Sequence, residues 1–326
     1  MKILFNGFRH SHINTLYNKA KDSQYTEIYA CIEEDQKARE KACLALNAKF
    51  NDESYEELLK SDFEAVAIGL PYGKRGEAVI KALKAGKHVI TDKPLCTTMK
   101  ELDEIRSIVK EKNLKIACML DLRYTDAARC AEEIIKSGEL GEVRNVAFNG
   151  QHCIDYANRP SWYFEKDMHG GTVNDLAIHG IDLVRMITGK EFADADAVRT
   201  WNSYAVKNKD FRDCALIMTR LENGAGVLAD VSYSAPSQVF GMPTYWEFRF
   251  WCEKGLLTFS YNDPVVYIYK EGCPDVIKRS YNGTETDYLT EFLAEIANNT
   301  TSVTQNVITS TETALLLQEE ADKRRD

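Results

Sequence analysis

From the first residue to about residue 120, short apolar runs alternate with stretches whose apolar positions recur every three or four residues. The runs Lys2–Asn6, Glu27–Glu33, Ala65–Leu70, His88–Thr91 and Lys115–Met119 predict strands. Helices are predicted from about His12 to Lys21, Asp35 to Leu46, Lys74 to Ala85 and Thr98 to Lys112. Ser54 with Glu57, and Thr98 with Glu101, carry the spacing of a capping box, and Gly86 follows its helix as a stop signal. Strands that are apolar throughout and separated by helices are the mark of a parallel sheet covered on both faces. Right-handed crossovers then give a doubly wound α/β domain.

After about residue 121 the period changes. Helices are predicted from about Asp126 to Ser137 and from about Thr172 to Thr188. Period-2 segments fill most of the rest: Val143–His152, Phe211–Leu221, Ala225–Tyr233, Tyr245–Trp251, Leu256–Tyr261 and Val265–Tyr269. Consecutive alternating strands with Gly, Asn and Pro between them predict a large, mostly antiparallel sheet in an α+β domain. Helical periodicity returns at about Asp287–Ala297 and Ser310–Asp322. The expected division is residues 1–121 for a nucleotide-binding domain and 122–326 for a substrate and assembly domain.

Composition narrows the function classes. The 326 residues carry a net charge of −9, which argues against binding a phosphate backbone. No apolar run approaches the roughly 18 residues of a membrane span, and the first residues lack the pattern of a secretory signal. Nine scattered cysteines include no C-x-x-C pair, so neither a zinc knuckle nor a disulfide framework is indicated. Reduced thiols in the cytoplasm are the simplest expectation.

Four stretches carry candidate chemistry. The first is the turn Gly7-Phe8-Arg9-His10-Ser11-His12, between a strand and a helix. A dinucleotide fingerprint places glycines at three of these positions, and here only Gly7 is present, with Arg9 and His12 at the other two. The helix N-terminus still offers positive potential to a pyrophosphate. Arg9 either adds a phosphate contact or crowds its approach. The second is Glu33, at the end of the second strand, placed to accept from ribose hydroxyls and to repel a 2′-phosphate, which favours NAD over NADP. Its alternative is a solvated acid beside Glu34 and Asp35.

The third is Thr91-Asp92-Lys93-Pro94, at a strand end. A lysine there can hold a substrate oxygen or lower the pKa of an alcohol, or it can be a surface loop lysine. The fourth is Gly170 to His179, in which Asp175 and His179 stand four apart on one helix face. An Asp can orient a His that takes a proton from an alcohol. The alternatives are an ordinary hydrogen-bonded pair, or two metal ligands lacking a convincing third, so no metal is expected.

With these residues in hand, the chain resembles the glucose–fructose oxidoreductase/inositol dehydrogenase (Gfo/Idh/MocA) family. Three segments in order carry the resemblance: AGKHVITDKPLCTTMKELDEI, RYTDAARCAEEIIKSGELGEVRNV and HGGTVNDLAIHGIDLVRMITG. It implies an NAD-dependent oxidoreductase of sugars, inositol or related polyols. Lys93 would contact the substrate hydroxyl, and Asp175 and His179 would complete the catalytic group. Gly7, Phe8, Arg9, His10, His12, Glu33, Leu70, Pro71, Tyr72, Arg75, Asp92, Lys93, Arg123 and Trp162 would line the cofactor. Tyr124, His152, Trp162 and Tyr163 would join the catalytic residues around substrate. The resemblance also implies a homodimer or homotetramer through the second domain's sheet. The sequence departs from the family at the eroded glycines, at Asp92 in place of a glutamate, and at Arg75 in place of a histidine. Two other functions remain open on the same residues: NAD-dependent glycoside cleavage, and a non-catalytic sugar or nucleotide sensor.

Overall fold

The computed structural model describes residues 1–323 and divides into two interleaved units. The first comprises Met1–Met119, Pro160–Gly170 and Asp287–Glu312; the second comprises Leu120–Arg159, Gly171–Thr286 and the C-terminal stretch from Thr313. The sequence pattern divides the chain once, at 121/122. The units instead assign two later stretches, 160–170 and 287–312, to the first body.

The first unit holds strands β1 (Lys2–Asn6), β2 (Glu27–Ile32), β3 (Ala65–Ile68), β4 (His88–Thr91) and β5 (Ile116–Cys118) in one parallel sheet, ordered β2-β1-β3-β4-β5. Every residue of β3 and β5 is buried, as a sheet covered on both faces demands. Helices α1 (His12–Asp22), α2 (Gln36–Leu46), α3 (Tyr55–Leu58), α4 (Tyr72–Lys84) and α5 (Met99–Lys112) connect the strands. Their ends are set locally. Asp35 accepts from the Ala38 N–H, and both expected capping boxes, Ser54/Glu57 and Thr98/Glu101, are formed.

The second unit begins with a 3-10 turn at Asp121–Tyr124 and helix α6 (Asp126–Lys136). Its eight strands are β6 (Val143–Cys153), β7 (Ala197–Trp201), β8 (Cys214–Arg220), β9 (Gly226–Ala235), β10 (Glu247–Cys252), β11 (Gly255–Ser260), β12 (Asp263–Lys270) and β13 (Ile277–Ser280). They form one sheet in the order β13-β12-β11-β10-β6-β9-β8-β7, antiparallel throughout except for the parallel pair β6–β9. The alternation of Cys214–Arg220, buried at 215, 217 and 219 and exposed at 216, 218 and 220, shows one covered face and one open face.

Helix α7 (Ile178–Thr188) packs on β6, and Gly180 allows it: a Cβ there would lie 2.2 Å from the Phe148 ring. The stretch expected as one helix from Thr172 opens instead with a π turn at Val173–Ala177 that runs into α7. Helix α8 (Tyr288–Asn298) belongs to the first unit, and α9 (Ser302–Asp322) begins eight residues before the expected Ser310. The buried Glu295 explains the early start, because its carboxylate accepts from the Val303 and Thr304 N–H groups at the N-terminus of α9. Among the described residues, no helix is long and apolar enough to cross a membrane.

Candidate active site

In the first unit the candidate residues gather at the carboxyl ends of β1, β3 and β4, where open parallel sheets bind ligands. Gly7 leaves β1 at φ +89°, and a Cβ there would meet the Leu70 N atom at 2.8 Å. Glycine is therefore required for the turn itself. The Gly7 N–H donates to the Ile32 carbonyl and the Arg9 N–H to the Gly69 carbonyl, so the turn is tied to two neighbouring strand ends. Arg9 lies 3.7 Å from Asp35. The Trp162 indole N–H donates to the Arg9 carbonyl.

Glu33 is buried at the end of β2. One of its oxygens accepts from the Phe8 N–H at 2.5 Å and the other from the Asp35 N–H at 2.8 Å. Burial raises its pKa, and those two N–H groups oppose the rise. The fingerprint turn and the acid are thus one hydrogen-bonded assembly, and carboxylate oxygens with spare lone pairs stay available to ribose hydroxyls. Gly7, the N-terminus of α1 and Glu33 together fit a dinucleotide.

The Asp92-Lys93-Pro94 turn is held by Arg75, the residue that stands where the family resemblance expects a histidine. Arg75 is fully buried in α4. It donates to the carbonyls of Leu70, Asp92, Lys93 and Pro94 and to the Asp92 carboxylate at 3.1 Å. A guanidinium with five donors in a fixed fork can staple a turn in this way; an imidazole cannot. The same carboxylate meets two histidines: His10 Nδ1 hydrogen-bonds Oδ2, the oxygen Arg75 also reaches, and His12 Nδ1 lies 3.3 Å from Oδ1. Burial alone would raise the Asp92 pKa, but His10, Arg75 and His12 beside it hold it well below the usual carboxylate range. Burial likewise pushes His10 down to about 4, against the pull of Asp92, so the imidazole is neutral at pH 7.

His10, His12 and Asp92 present donor atoms within 4.8 Å of one another, a geometry that could hold a metal ion. The Arg75 guanidinium already neutralises the carboxylate, and the positive end of α1 adds further opposition to a cation. An aromatic cluster completes this part of the unit. Tyr72 hydrogen-bonds Tyr163 at 2.6 Å and packs edge-on against Trp162, and the Lys93 ammonium lies 6.0 Å from the Tyr72 ring centre.

In the second unit, Asp175 sits in the π turn and His179 in the first turn of α7, both buried. Single π turns inside helices recur at functional sites. His179 Nδ1 lies 3.6 Å from Asp121, and its ring meets Trp246 edge-on at 5.6 Å. Trp246 packs over Gly150, where a Cβ would lie 2.4 Å from the indole. His152 contacts Phe240 and Tyr245, and Tyr245 contacts Trp246. His152 and His179 therefore share an aromatic wall in which Asp121, Tyr245 and Trp246 were not singled out from sequence. The only signal for Tyr245 and Trp246 was aromatic content in a period-2 segment, and Asp121 carried none. Arg123 pairs with the buried Asp182 at 3.0 Å and stacks near Tyr124.

Known proteins resemble this chain in both sequence and fold. Residues 5–120 match the oxidoreductase family, NAD-binding Rossmann fold, and residues 128–258 match the GFO/IDH/MocA C-terminal domain. A levoglucosan dehydrogenase from Pseudarthrobacter phenanthrenivorans is 35% identical over 146 residues, covering 43% of this chain and 37% of that protein. The chain matches about half the length, or less, of the curated relatives it resembles. A solved chain from Erwinia carotovora atroseptica superposes with TM-score 0.88 at 24% identity, covering 98% of both chains. A myo-inositol 2-dehydrogenase from Lactobacillus plantarum superposes with TM-score 0.78 at 19% identity, covering 99% of this chain and 97% of that one.

Proposed function

Because this chain belongs to the Gfo/Idh/MocA family of oxidoreductases, we propose that it transfers hydride between NAD and a secondary hydroxyl of a sugar, inositol or related polyol. The observation that carries the reading is the Lys93 turn, stapled by Arg75 at a strand end beside the fingerprint turn. When bound, the nicotinamide supplies the hydride acceptor. The chain's own residues do the rest. Gly7 and the N-terminus of α1 receive the pyrophosphate. Glu33 accepts from the ribose hydroxyls and opposes a 2′-phosphate, which favours NAD over NADP.

Lys93 holds the substrate oxygen, and the proton is taken by Lys93 or by His179, which Asp175 assists; the family resemblance supports these roles. The aromatic setting of His152, Tyr245 and Trp246 suits the apolar C–H faces of a polyol ring, with Tyr124 as a further polar contact. The names of a levoglucosan dehydrogenase and a 1,5-anhydro-D-fructose reductase among the relatives favour a carbohydrate.

The open face of the second unit's sheet suits a second copy of the chain. Met218 lies opposite Leu228, and Trp251, Leu256 and Tyr269 form one row across three strands. Met218, Leu228, Trp251 and Tyr269 are exposed, the kind of apolar face that marks an association surface. A homodimer or homotetramer would cover them. All nine cysteines are free thiols, in keeping with a reducing, cytoplasmic setting.

The test is a screen of sugars and polyols for NADH formation, run in parallel with NADP. Lys93→Met is expected to lower kcat at least about 100-fold, on the scale of lost proton-transfer and electrostatic catalysis. Intact turnover in that variant would remove the mechanism.

A further inference from the structure

His10 occupies a position that the dinucleotide fingerprint leaves open, yet its side chain is buried and hydrogen-bonded on both ring nitrogens. Nδ1 meets the Asp92 carboxylate. That carboxylate has no proton to give, so Nδ1 carries the hydrogen and Nε2 is left with a lone pair. The Tyr72 hydroxyl stands 3.4 Å from Nε2 and can only donate to it. The oxygen of Tyr72 then accepts from Tyr163 at 2.6 Å. One ionised carboxylate therefore sets the direction of every hydrogen bond from Asp92 to Tyr163.

We infer that His10 is a positioning residue for the Lys93 turn: as a neutral Nδ1–H imidazole it clamps Asp92 together with Arg75 and orders Tyr72 and Tyr163 beside it. The inference rests on the proposed dehydrogenase reading for its effect on turnover. The geometry favours a clamp over a metal site, since the Arg75 guanidinium already pairs with the carboxylate. The groups facing His10 are Asp92, His12, Lys93, Tyr72 and Tyr163. Protonation of His10 would make Nε2 a donor. Tyr72 would have to turn its hydrogen away, and the chain to Tyr163 would reverse. The clamp therefore works only while His10 is neutral. Its low proton affinity, from burial, keeps it so across the physiological range.

Two measurements on the full-length protein test this. The first is the pair of 15N shifts of the His10 ring from pH 4 to 8. The inference expects an Nδ1–H tautomer that stays neutral down to pH 5, and a shift of the Nε2 resonance in Tyr72→Phe. A ring that titrates near 6.5, or an Nε2–H tautomer, overturns it. The second is the pH profile of kcat in Tyr72→Phe and His10→Asn. The asparagine amide keeps a donor toward Asp92, but its side chain is too short to place an acceptor where Nε2 meets Tyr72.

Both variants are expected to lower kcat about 10-fold and to move the acid limb of the profile, since small misplacement of a reacting group costs rate. An unchanged profile in both overturns the inference. If the wild-type protein turns over no polyol, the dehydrogenase reading fails, and the 15N shifts still decide the clamp. Stoichiometric Zn2+ uptake that disappears in His12→Ala would also overturn it, because the three donors would then be a cation site.

Discussion

Replacing Arg75 by methionine isolates a fully buried ion pair in the first unit. Methionine matches the length of the aliphatic stem, so most of the packing inside α4 is kept and the guanidinium alone is lost. Four carbonyls and one carboxylate lose a donor, all of them from residues at the carboxyl ends of β3 and β4. Removing one member of a buried ion pair costs about 3–5 kcal/mol, because the remaining charge is left without compensation. Asp92 is fully buried, so solvent cannot screen it. Bodies of this size shift by roughly 2–4 °C for each kcal/mol, so the melting transition should fall by on the order of 10 °C in scanning calorimetry. The double variant Arg75→Met/Asp92→Asn should recover at least about 1 kcal/mol, because the stranded charge is gone. A single variant within 1 kcal/mol of wild type, or a double variant no better than the single, would refute the argument that Arg75 holds this turn by charge.

Two further outcomes follow from other parts of the structure. His10 is held at about 4 in the fold, against 6.5 for a free imidazole. The unfolded chain therefore binds the extra proton as the pH falls through 6.5. The stabilisation is complete above that value and is lost progressively down to about 4, a change of about 3 kcal/mol at roughly 1.4 kcal/mol per unit; urea unfolding at pH 7 and pH 4.5 should show it, and His10→Phe should flatten it. On the open sheet face, Leu228→Asp places a charge opposite Met218 at the proposed subunit contact. Light scattering should then report monomers with unchanged helix and strand content, and a wild-type protein that is monomeric at micromolar concentration would remove that contact.

The sequence by itself determined what is local. Strand β1, the two capping boxes, the Gly86 stop and the parallel-then-antiparallel division are consequences of periodicity and of side chains within four residues of one another. Strands β7 and β13 escaped because they are the two edges of the sheet, and edge strands carry exposed and charged residues such as Arg199, Lys278 and Arg279 in place of clean alternation. The first turns of α9 escaped because a run rich in Ser and Thr is a weak helix former, and the carboxylate that caps it belongs to a different helix.

The candidate residues were legible as types, a lysine at a strand end and an Asp–His pair on a helix, but their partners were not. His10 and Asp92 are 82 residues apart, and Tyr72 and Tyr163 are 91 apart. Only the packing of the chain brings such pairs within hydrogen-bonding distance and removes the water that would otherwise weaken them. Whether Arg75 is a surface cation or a staple, and whether His10 is charged or neutral, is decided by burial and by neighbours from distant segments, and neither is written in local sequence.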